Sequence, residues 1–397
     1  MSQTPLDRGE TLEKALSGRP TYRVISTELE LAELRASWDD LVRAMPRPSP
    51  FLLHTWLVEW YRHYGRGSDL AAWAAFRGDD LVAAFPIVHK PWRGLRVARF
   101  LGGEQSSLAD LLLSPSEEQS TAAALVREAA GDHDFAELFG LSGDSRLASI
   151  VAPGDLHLFK RADGPVLELA GDWDELYREK VSSKHRSSYR RRRQQLEKTG
   201  AVEFTLARSR EAVEAALEDA FRLHALRWTG RPDGSGFATS TGVSFHRAVL
   251  PALAQQDVIR LVTLRVDRRA IAFALAFAIS ERLYGYRLAF DPSFGRYSPG
   301  LLVLHRLLEF ACEEGLRRVE FLGAADRFKL ELADRLEPIH LGLGLAGTAR
   351  GRAVVTARTE VRRLRERVSR SPIARRAYDR ARPLLTKVAR SKDVLKA

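Results

Sequence analysis

The 397-residue sequence predicts an α/β protein made of two tandem units followed by a basic helical tail. The chain is longer than a single hydrophobic core usually supports, and its 45% hydrophobic and 28% charged residues are typical of globular proteins. Signals for helix, hairpin, strand, helix and strand follow one another in residues 20–165 and again in residues 166–348. Residues 349–397 then form a separate basic tail with helical spacing of its apolar residues.

Net charge and cysteine content narrow the class of protein. The tail holds 16 Lys and Arg against 4 Asp and Glu, so the net charge of +11 belongs to the tail and the rest is nearly neutral. This weakens a whole-protein argument for nucleic-acid binding. The single cysteine cannot form an internal disulfide, and we expect no metal site because no His, Cys or carboxylate cluster has ligand spacing. The longest apolar run, Ile271–Ile279, is too short for a bilayer span, so we expect a cytoplasmic protein.

The elements of both units follow from hydrophobic periodicity and turn residues. In the first unit, helices are predicted over Leu29–Arg43, Phe51–Tyr64 and 117–130, and strands over Tyr22–Ile25, Ala71–Arg77, Leu81–Lys90, Arg96–Leu101, Leu111–Leu113 and Phe135–Phe139. In the second unit, helices are predicted over Trp173–Lys198, Glu211–Trp228 and Val243–Gln255, and strands over Val202–Ala207, Val258–Val266 and Ala270–Ser280. The second unit is completed by the segment from Leu283 to Lys329 and ends near Gly344.

The segment from Leu283 to Lys329 has the most informative pattern. A strand with alternating aromatic and leucine residues leads through Asp291-Pro292 to Ser298-Pro299-Gly300, where a helix begins. We expect Ser298 to cap this helix through its hydroxyl and Gly315 to end it. The free N–H groups of a first helical turn attract anions, and Gly300 would let a phosphate approach the backbone. On its own the same tripeptide is more often a plain helix start.

Three stretches resemble the GNAT-type acyltransferases of the CelD/FemAB-like group. They are SPFLLHTWLVEWYRHYG, WDELYREKVSSKHRSSYRRRRQQLEKTGAVEF and GYRLAFDPSFGRYSPGLLVLHRLLEFACEEGLRRVEFLGAADRFKLEL. The resemblance implies a tandem GNAT-like fold, with a degenerate first unit because no Ser-Pro-Gly-type helix start occurs there. It also implies acetyl-CoA or another acyl-CoA as co-substrate. The donor pyrophosphate would lie at the main-chain N–H groups of Ser298, Gly300, Leu301 and Leu302.

Four residues are candidates for the chemistry of acyl transfer. Asp291 and Glu320 are the carboxylates nearest the ends of their strands, and either could serve as general base. Asp291 could equally cap a turn with Pro292, and Glu320 could simply face outward. The resemblance implies that Lys329 contacts phosphate or developing negative charge. Tyr286 could protonate a leaving thiolate, although aromatic residues on strands are usually core.

Basic and aromatic residues are candidates for acceptor binding. Lys184, Arg186 and Arg190 belong to one strongly basic helix, which could bind a nucleotide sugar or a lipid-linked phosphate, could contact RNA, or could be a solvated face. Four consecutive arginines cover every side of a helix, so they cannot all contact one ligand. Trp228 belongs to a His-x-x-Arg-Trp stretch common in the resembling group, and Tyr297 precedes the Ser-Pro-Gly helix start.

The sequence therefore predicts acyl-CoA-dependent transfer, most simply of acetyl, to an amine or hydroxyl of a polysaccharide or cell-envelope precursor. One alternative is a FemAB-type peptidyltransferase with aminoacyl-tRNA as donor, and another is a non-catalytic basic binding module. For the tail, we weigh contact with the anionic inner face of the membrane, contact with nucleic acid, and docking on the body through Leu364 and Val368.

Overall fold

The computed structural model describes residues 18–228, 237–323 and 325–370. Its first half contains the helices α1 (Glu28–Glu33), α2 (Arg35–Arg43), α3 (His54–Tyr64), α4 (Gln119–Ala130) and α5 (Arg146–Ile150). The strands of this half are β1 (Thr21–Ile25), β2 (Asp69–Leu70), β3 (Ala72–Arg77), β4 (Asp80–Phe85), β5 (Ile87–Trp92), β6 (Leu95–Phe100), β7 (Leu112–Leu113), β8 (Phe135–Ser142) and β9 (Leu156–Glu168).

The second half repeats the alternation of helices and strands. Its helices are α6 (Trp173–Lys180), α7 (Ser183–Glu197), α8 (Arg210–Trp228), α9 (Ser240–Ala254), α10 (Pro299–Glu313), α11 (Arg327–Leu330) and α12 (Ala349–Arg370). Its strands are β10 (Val202–Ala207), β11 (Ile259–Val266), β12 (Arg269–Ile279), β13 (Arg282–Phe290), β14 (Arg318–Glu320) and β15 (Arg335–Gly344). The protein is thus an α/β protein, as the sequence predicts.

The two halves share one large sheet. Its strand order among the described residues is β10-β11-β12-β13-β14-β9-β15-β8-β6-β5-β2, and a smaller sheet has the order β1-β3-β4-β7. The long strands β9 and β15 pair antiparallel with each other, and each also pairs with a strand of the other half, β14 and β8 respectively. The sequence does not predict β15, because its register depends on partners that are 169 to 208 residues away.

Three predicted elements are interrupted in the structure. The helix expected over Leu29–Arg43 breaks at Leu34, between α1 and α2. The strand expected over Leu81–Lys90 ends before Pro86, and its two parts join different sheets because proline cannot donate to the strand ladder. The helix expected over Trp173–Lys198 breaks at Val181, which is extended and buried, and Ser182 then caps α7 through the N–H of His185.

The described part of the tail docks on the first half. Within α12, Val355 and Thr359 are buried, and Arg358 forms an ion pair with Glu137 of β8. Leu364 is 60% exposed, so the expectation that the tail docks through this residue is wrong. The side chain of Val368 and residues 371–397 lie outside the described residues.

The sheet of the second half separates two layers. Leu283 and Leu288 of β13 pack with α6, α7 and α10 on one face. Tyr284 and Tyr286 pack with α8, α9 and the first half on the other face. Side chains that alternate along a strand point to opposite faces, so β13 contributes to both layers.

Candidate active site

A slot opens between β13 and β14. The two strands pair in parallel only from Arg282–Tyr284 to Arg318–Glu320, whereas β13 continues to Phe290. Beyond Tyr284, no ladder with a described residue is present on this edge of β13. Unpaired strand edges present backbone N–H and C=O groups to an extended ligand. The 3₁₀ turn Pro292–Tyr297 then leads directly into α10, whose first turn lies beside the slot.

A β-bulge at Tyr286 reshapes β13 next to the slot. Leu275 is paired with Arg287 and Ala276 with Gly285, so Tyr286 is an extra residue on β13. Bulges of this kind redirect side chains and are common beside active sites. Here the guanidinium of Arg287 lies 4.0 Å from the centre of the Tyr286 ring.

The first turn of α10 differs from the prediction for Ser298. This residue adopts a left-handed conformation (φ 53°), and its hydroxyl makes no capping hydrogen bond but accepts one from Arg192. The expectation that the Ser298 hydroxyl caps α10 is therefore wrong. The N–H groups of Leu301 and Leu302 donate to the Ser298 carbonyl at 3.0 and 3.3 Å. Of the predicted backbone donors, Gly300 is the one with no hydrogen bond to a described residue.

Gly300 is needed for packing. A Cβ atom here would lie 3.0 Å from Phe290 and 3.1 Å from Leu288, both on β13. The missing side chain therefore faces the strand, which differs from the expected role of admitting a phosphate. Leu302 is buried and also contributes to the wall of a neighbouring cavity.

The basic helix α7 crosses the start of α10. Arg192 donates to the Ser298 hydroxyl, and both His185 and Tyr189 contact Glu331, which follows α11. Helix α7 is thereby fixed at two points on either side of the slot. Because these contacts use one face of α7, its other arginines lie on other faces of the helix.

A cavity of about 840 Å³ lies between α6, α7 and α10. Its wall contains Trp173, Tyr177, Arg178, Arg186, Tyr189, Arg190, Arg193, Leu302 and His305. Burial lowers the pKa of His305 to about 4, so the imidazole is neutral near pH 7 and the positive charge comes from the guanidinium groups. Arg186 donates to the carbonyls of Arg178 and Val181, whereas Lys184 and Arg191 are exposed and lie outside this wall.

Lys329 lies at the end of the slot on the side of β14. Its Nζ donates to the Leu322 carbonyl at 2.9 Å and lies 3.8 Å from the Asp326 carboxylate. Burial lowers the pKa of Lys329, and Arg227 lowers it further, whereas Asp326 opposes the shift. A partly buried ammonium at this position favours an incoming negative charge.

The candidate base Asp291 is engaged in local structure. Its carboxylate accepts hydrogen bonds from the backbone and hydroxyl of Ser293 at 3.0 and 2.7 Å and pairs with Arg269 at 2.7 Å. Burial alone would raise its pKa, but the contacts with Ser293 and Arg269 outweigh burial and lower it. The carboxylate is thus ionised and already hydrogen-bonded.

Glu320 is 1% exposed, so it does not face outward as one interpretation had it. Its carboxylate lies 2.7 Å from Arg47 of the first half and 3.2 and 3.0 Å from Arg282 and Arg318. Arg47 also pairs with Glu337 at 2.9 Å, which makes this cluster a charged link between the two halves.

Tyr286 lies on the face opposite α10. His246 Nδ1 is 2.6 Å from the Gly242 carbonyl, so it carries the proton, and Nε2 accepts from the Tyr286 hydroxyl at 2.8 Å. The sequence does not identify His246 as a site residue, because its position on α9 among apolar residues gives no specific signal. The hydroxyl proton of Tyr286 is therefore directed at His246.

The predicted residues thus fall into separate places. Ser298, Gly300 and Leu302 belong to the start of α10, and Arg186 and Arg190 share a cavity wall with Leu302. Tyr297 is buried beside them, and its hydroxyl accepts from Arg296. The Trp228 side chain lies outside the described residues. No group of three His, Cys, Asp or Glu residues in the described ranges is arranged to hold a metal ion.

A comparison of the sequence with protein families is consistent with this slot and with the helix start beside it. Residues 183–330 match the family described as acetyltransferase (GNAT) domain. The protein is therefore an acyltransferase with a GNAT-type domain in its second half. No curated protein matches the sequence. None of the described helices has the length and apolar character needed to cross a membrane.

Solved structures of low sequence identity share the fold. FemX is 14% identical in sequence with a TM-score of 0.57, and the match covers 81% of this chain and 96% of the FemX chain. The C-terminal domain of a putative lysylphosphatidylglycerol synthetase from Agrobacterium fabrum is 12% identical with a TM-score of 0.53, covering 83% and 96%. A conserved protein of unknown function from Bacteroides thetaiotaomicron VPI-5482 is 12% identical with a TM-score of 0.52, covering 82% and 100%. These similarities concern the fold alone.

Proposed function

We propose that the protein transfers an acyl group, most simply acetyl, from acyl-CoA to an amine or hydroxyl of a polysaccharide or cell-envelope precursor. The observation that carries this proposal is the slot between β13 and β14, with the start of α10 and the arginines of α7 beside it. A long, thin donor with a phosphate-rich end fits this arrangement. The acceptor class rests on the resemblance to the CelD/FemAB-like group.

The residues around the slot fit an acyl-CoA donor. The exposed edge of β13 offers backbone groups to the amide-containing arm of CoA. We infer that the phosphates bind between the N–H of Gly300 and the guanidinium groups of Arg190 and Arg193, which share a cavity wall with Leu302, whereas Arg192 contacts the Ser298 hydroxyl. Most of the backbone donors are already used, so we infer that α7 contributes more to phosphate binding than the first turn of α10 does.

Lys329 is suited to stabilise negative charge during transfer. In the reaction, the acceptor lone pair attacks the thioester carbonyl, the C–S bond breaks, and the thiolate leaves and is protonated as the acceptor loses its proton. A cation at the end of the slot would favour the charge that develops on oxygen or sulfur. Asp291 and Glu320 are each held by arginine, so we infer that they position β13 and β14, and that the acceptor proton passes to water.

Calorimetric titration with acetyl-CoA tests the donor site. Arg190→Ala combined with Arg193→Ala should weaken binding about tenfold or more, because hydrogen bonds to charged groups contribute about 1.5–3 kcal/mol. Lys184→Ala combined with Arg191→Ala is the control, since it removes two positive charges from the same helix at positions outside the cavity wall. Equal affinities for the double variant and the control would contradict this donor site.

A second candidate donor is aminoacyl-tRNA. The cavity between α6, α7 and α10 combines guanidinium groups with the aromatic side chains of Trp173, Tyr177 and Tyr189, which suits phosphates and stacked bases. Tight, salt-dependent binding of tRNA without any binding of acetyl-CoA would favour this donor. Binding of acetyl-CoA that tRNA does not displace would exclude tRNA from the site.

A further inference from the structure

Arg287 has an unusual environment on the face of β13 opposite α10. Its Nη1 donates to the Tyr286 carbonyl at 3.1 Å and its Nη2 lies 3.4 Å from the Tyr286 hydroxyl. The Nε atom is buried without a hydrogen-bond partner. Within the described ranges, Arg287 forms no ion pair with a carboxylate.

Three other half-buried or buried arginines of the second half have carboxylate partners, whereas the half-buried Arg186 and Arg192 donate to backbone carbonyls and to a hydroxyl. Arg260 pairs with Glu314 at 2.7 Å, and Arg282 and Arg318 share Glu320. Removing a charge from water is costly unless an opposite charge and hydrogen bonds replace the lost hydration. Arg287 therefore lacks a compensation that its neighbours have, and a bound anion would supply it.

The groups that face Arg287 are neutral or positive. His224 and His246 approach it from α8 and α9, and burial lowers the pKa of the first to about 4 and of the second to about 3. Tyr64 of α3 approaches from the first half, and burial raises its pKa, whereas Arg287 opposes that shift. The Tyr64 hydroxyl is buried and has no hydrogen-bond partner within the described ranges.

The position of Arg287 relative to the slot follows from Gly285. A Cβ atom on Gly285 would lie 3.4 Å from the Phe321 carbonyl, so β13 and the end of β14 are still close at this point. Arg287 comes two residues later, after the bulge, where the slot has opened. It thus lies beside the slot but on the face away from α10 and α7.

A smaller cavity continues from Tyr64 into the first half. It measures about 330 Å³, and its wall includes Trp60, Tyr64, Lys90, Glu104 and Arg99, of which Arg99 is paired with Glu137 at 3.1 Å. The rings of Trp60 and Tyr64 are stacked with their centres 6.3 Å apart. Aromatic faces next to cationic side chains suit a small polar molecule with an apolar ring face and a negative charge.

We propose that Arg287 binds a carboxylate or phosphate group of the acceptor, which enters from the side of the first half and meets the donor in the slot. This inference rests on the proposed function and narrows its acceptor to an anionic amine or alcohol of small size. Donor and acceptor would then bind on opposite faces of β13. Arg287 would act as a specificity-determining residue.

Three amines that share one sugar ring test the proposal. Glucosamine is neutral apart from its amine, glucosamine 6-phosphate adds a phosphate, and muramic acid adds a carboxylate. Each is titrated calorimetrically into the wild type and Arg287→Met, with and without acetyl-CoA. The wild type should bind at least one anionic amine about tenfold more tightly than glucosamine, and Arg287→Met should abolish this difference. The identity of the preferred anionic amine shows whether Arg287 binds a carboxylate or a phosphate.

Two further variants keep the test decisive. Arg317→Met removes an exposed arginine and should preserve the preference. Arg287→Lys keeps the charge but not the planar donor pair, so it should retain only part of the preference. This variant replaces Arg287→Met in the test if Arg287→Met fails to fold. A wild type without preference for an anionic amine, or an unchanged preference in Arg287→Met, overturns the inference. A wild type that does not bind acetyl-CoA would instead contradict the proposed function.

Discussion

Gly300 occupies the first turn of α10 with its missing side chain directed at β13. The sequence marks this position as special, because Ser-Pro-Gly begins a helix where an anion could bind. It does not show that Leu288 and Phe290 leave about 3 Å for a Cβ atom. Ser298 is similar, since its left-handed backbone depends on the preceding turn and on Arg192 of a distant helix. Local patterns thus identify residues, and their contacts require the fold.

Replacing Gly300 with valine should destabilise the protein by about 1–3 kcal/mol, because the added atoms overpack the contact with β13. Gly295→Ala is the control, since a Cβ at Gly295 comes no closer than 3.9 Å to a neighbour. Urea unfolding compares the two. If Gly300→Val loses acetyl-CoA binding at unchanged stability, the result would support the original expectation that Gly300 admits a phosphate to the backbone.

Lys329→Ala should lower kcat more than it weakens acetyl-CoA binding, because an ammonium aimed at developing charge acts mainly in the transition state. Lys329→Arg should recover little, since the larger guanidinium cannot keep the 2.9 Å contact with the Leu322 carbonyl. Turnover and calorimetric affinity are measured for both variants. An equal loss in affinity and turnover would assign Lys329 to donor binding only.

Single elements are predicted well where the pattern is local. The strands and helices from β10 to α10 agree with their predictions within about two residues at most ends. The breaks at Val181 and Leu34 were missed because helix-compatible residues surround them and burial decides the conformation. Strand β15 was missed because its polar start, Arg335 to Glu337, resembles a loop until its charges find partners.

The contact between β3 and α4 gives a pH-dependent prediction. Glu117 pairs with Arg77 at 2.5 Å and accepts from Thr121 at 2.8 Å. The Arg77 hydrogen bond lowers the pKa of Glu117 to about 2, against an ordinary value of 4.5. The pair therefore stabilises the folded state above about pH 4.5, and this contribution is lost as the pH falls towards 2.

Glu117→Gln should therefore lose stability at pH 7 and show a weaker dependence of stability on pH between 5 and 2. Glu118→Gln, at the exposed neighbouring position, should behave as the wild type. Thermal unfolding at a series of pH values measures both. Parallel pH profiles for Glu117→Gln and the wild type would contradict the role of this ion pair.

The whole molecule is held together by shared strands and a buried charge cluster. β9 and β15 each pair with a strand of the other half, and Arg47 connects the first half to Glu320 and Glu337. Sequence order predicted two tandem units. It did not predict this exchange of strands, because long-range pairing leaves no local periodicity.

Arg47→Met should destabilise the protein by about 3 kcal/mol, because it leaves buried carboxylates with fewer opposite charges. Arg62→Met is the control, since the Arg62 side chain is 51% exposed and its pairs with Glu28 and Glu59 should contribute at most about 1 kcal/mol. Urea unfolding measures the free energy of both variants. A loss in Arg47→Met no larger than in the control would show that the shared strands suffice to hold the two halves.

The last prediction concerns residues 371–397, which hold 8 Lys and Arg against 2 Asp and Glu. Removing only this segment leaves α12 in place, so Val355 and Arg358 keep their contacts and acyl transfer to a soluble acceptor should be unchanged. Basic residues near an anionic membrane contribute about 1 kcal/mol each, so the full-length protein should sediment with anionic liposomes at low salt and release them at high salt. The truncated protein should bind them more weakly, and neither should bind neutral liposomes. A full-length protein that ignores anionic liposomes yet retards RNA or DNA in a gel would assign the tail to nucleic acid instead.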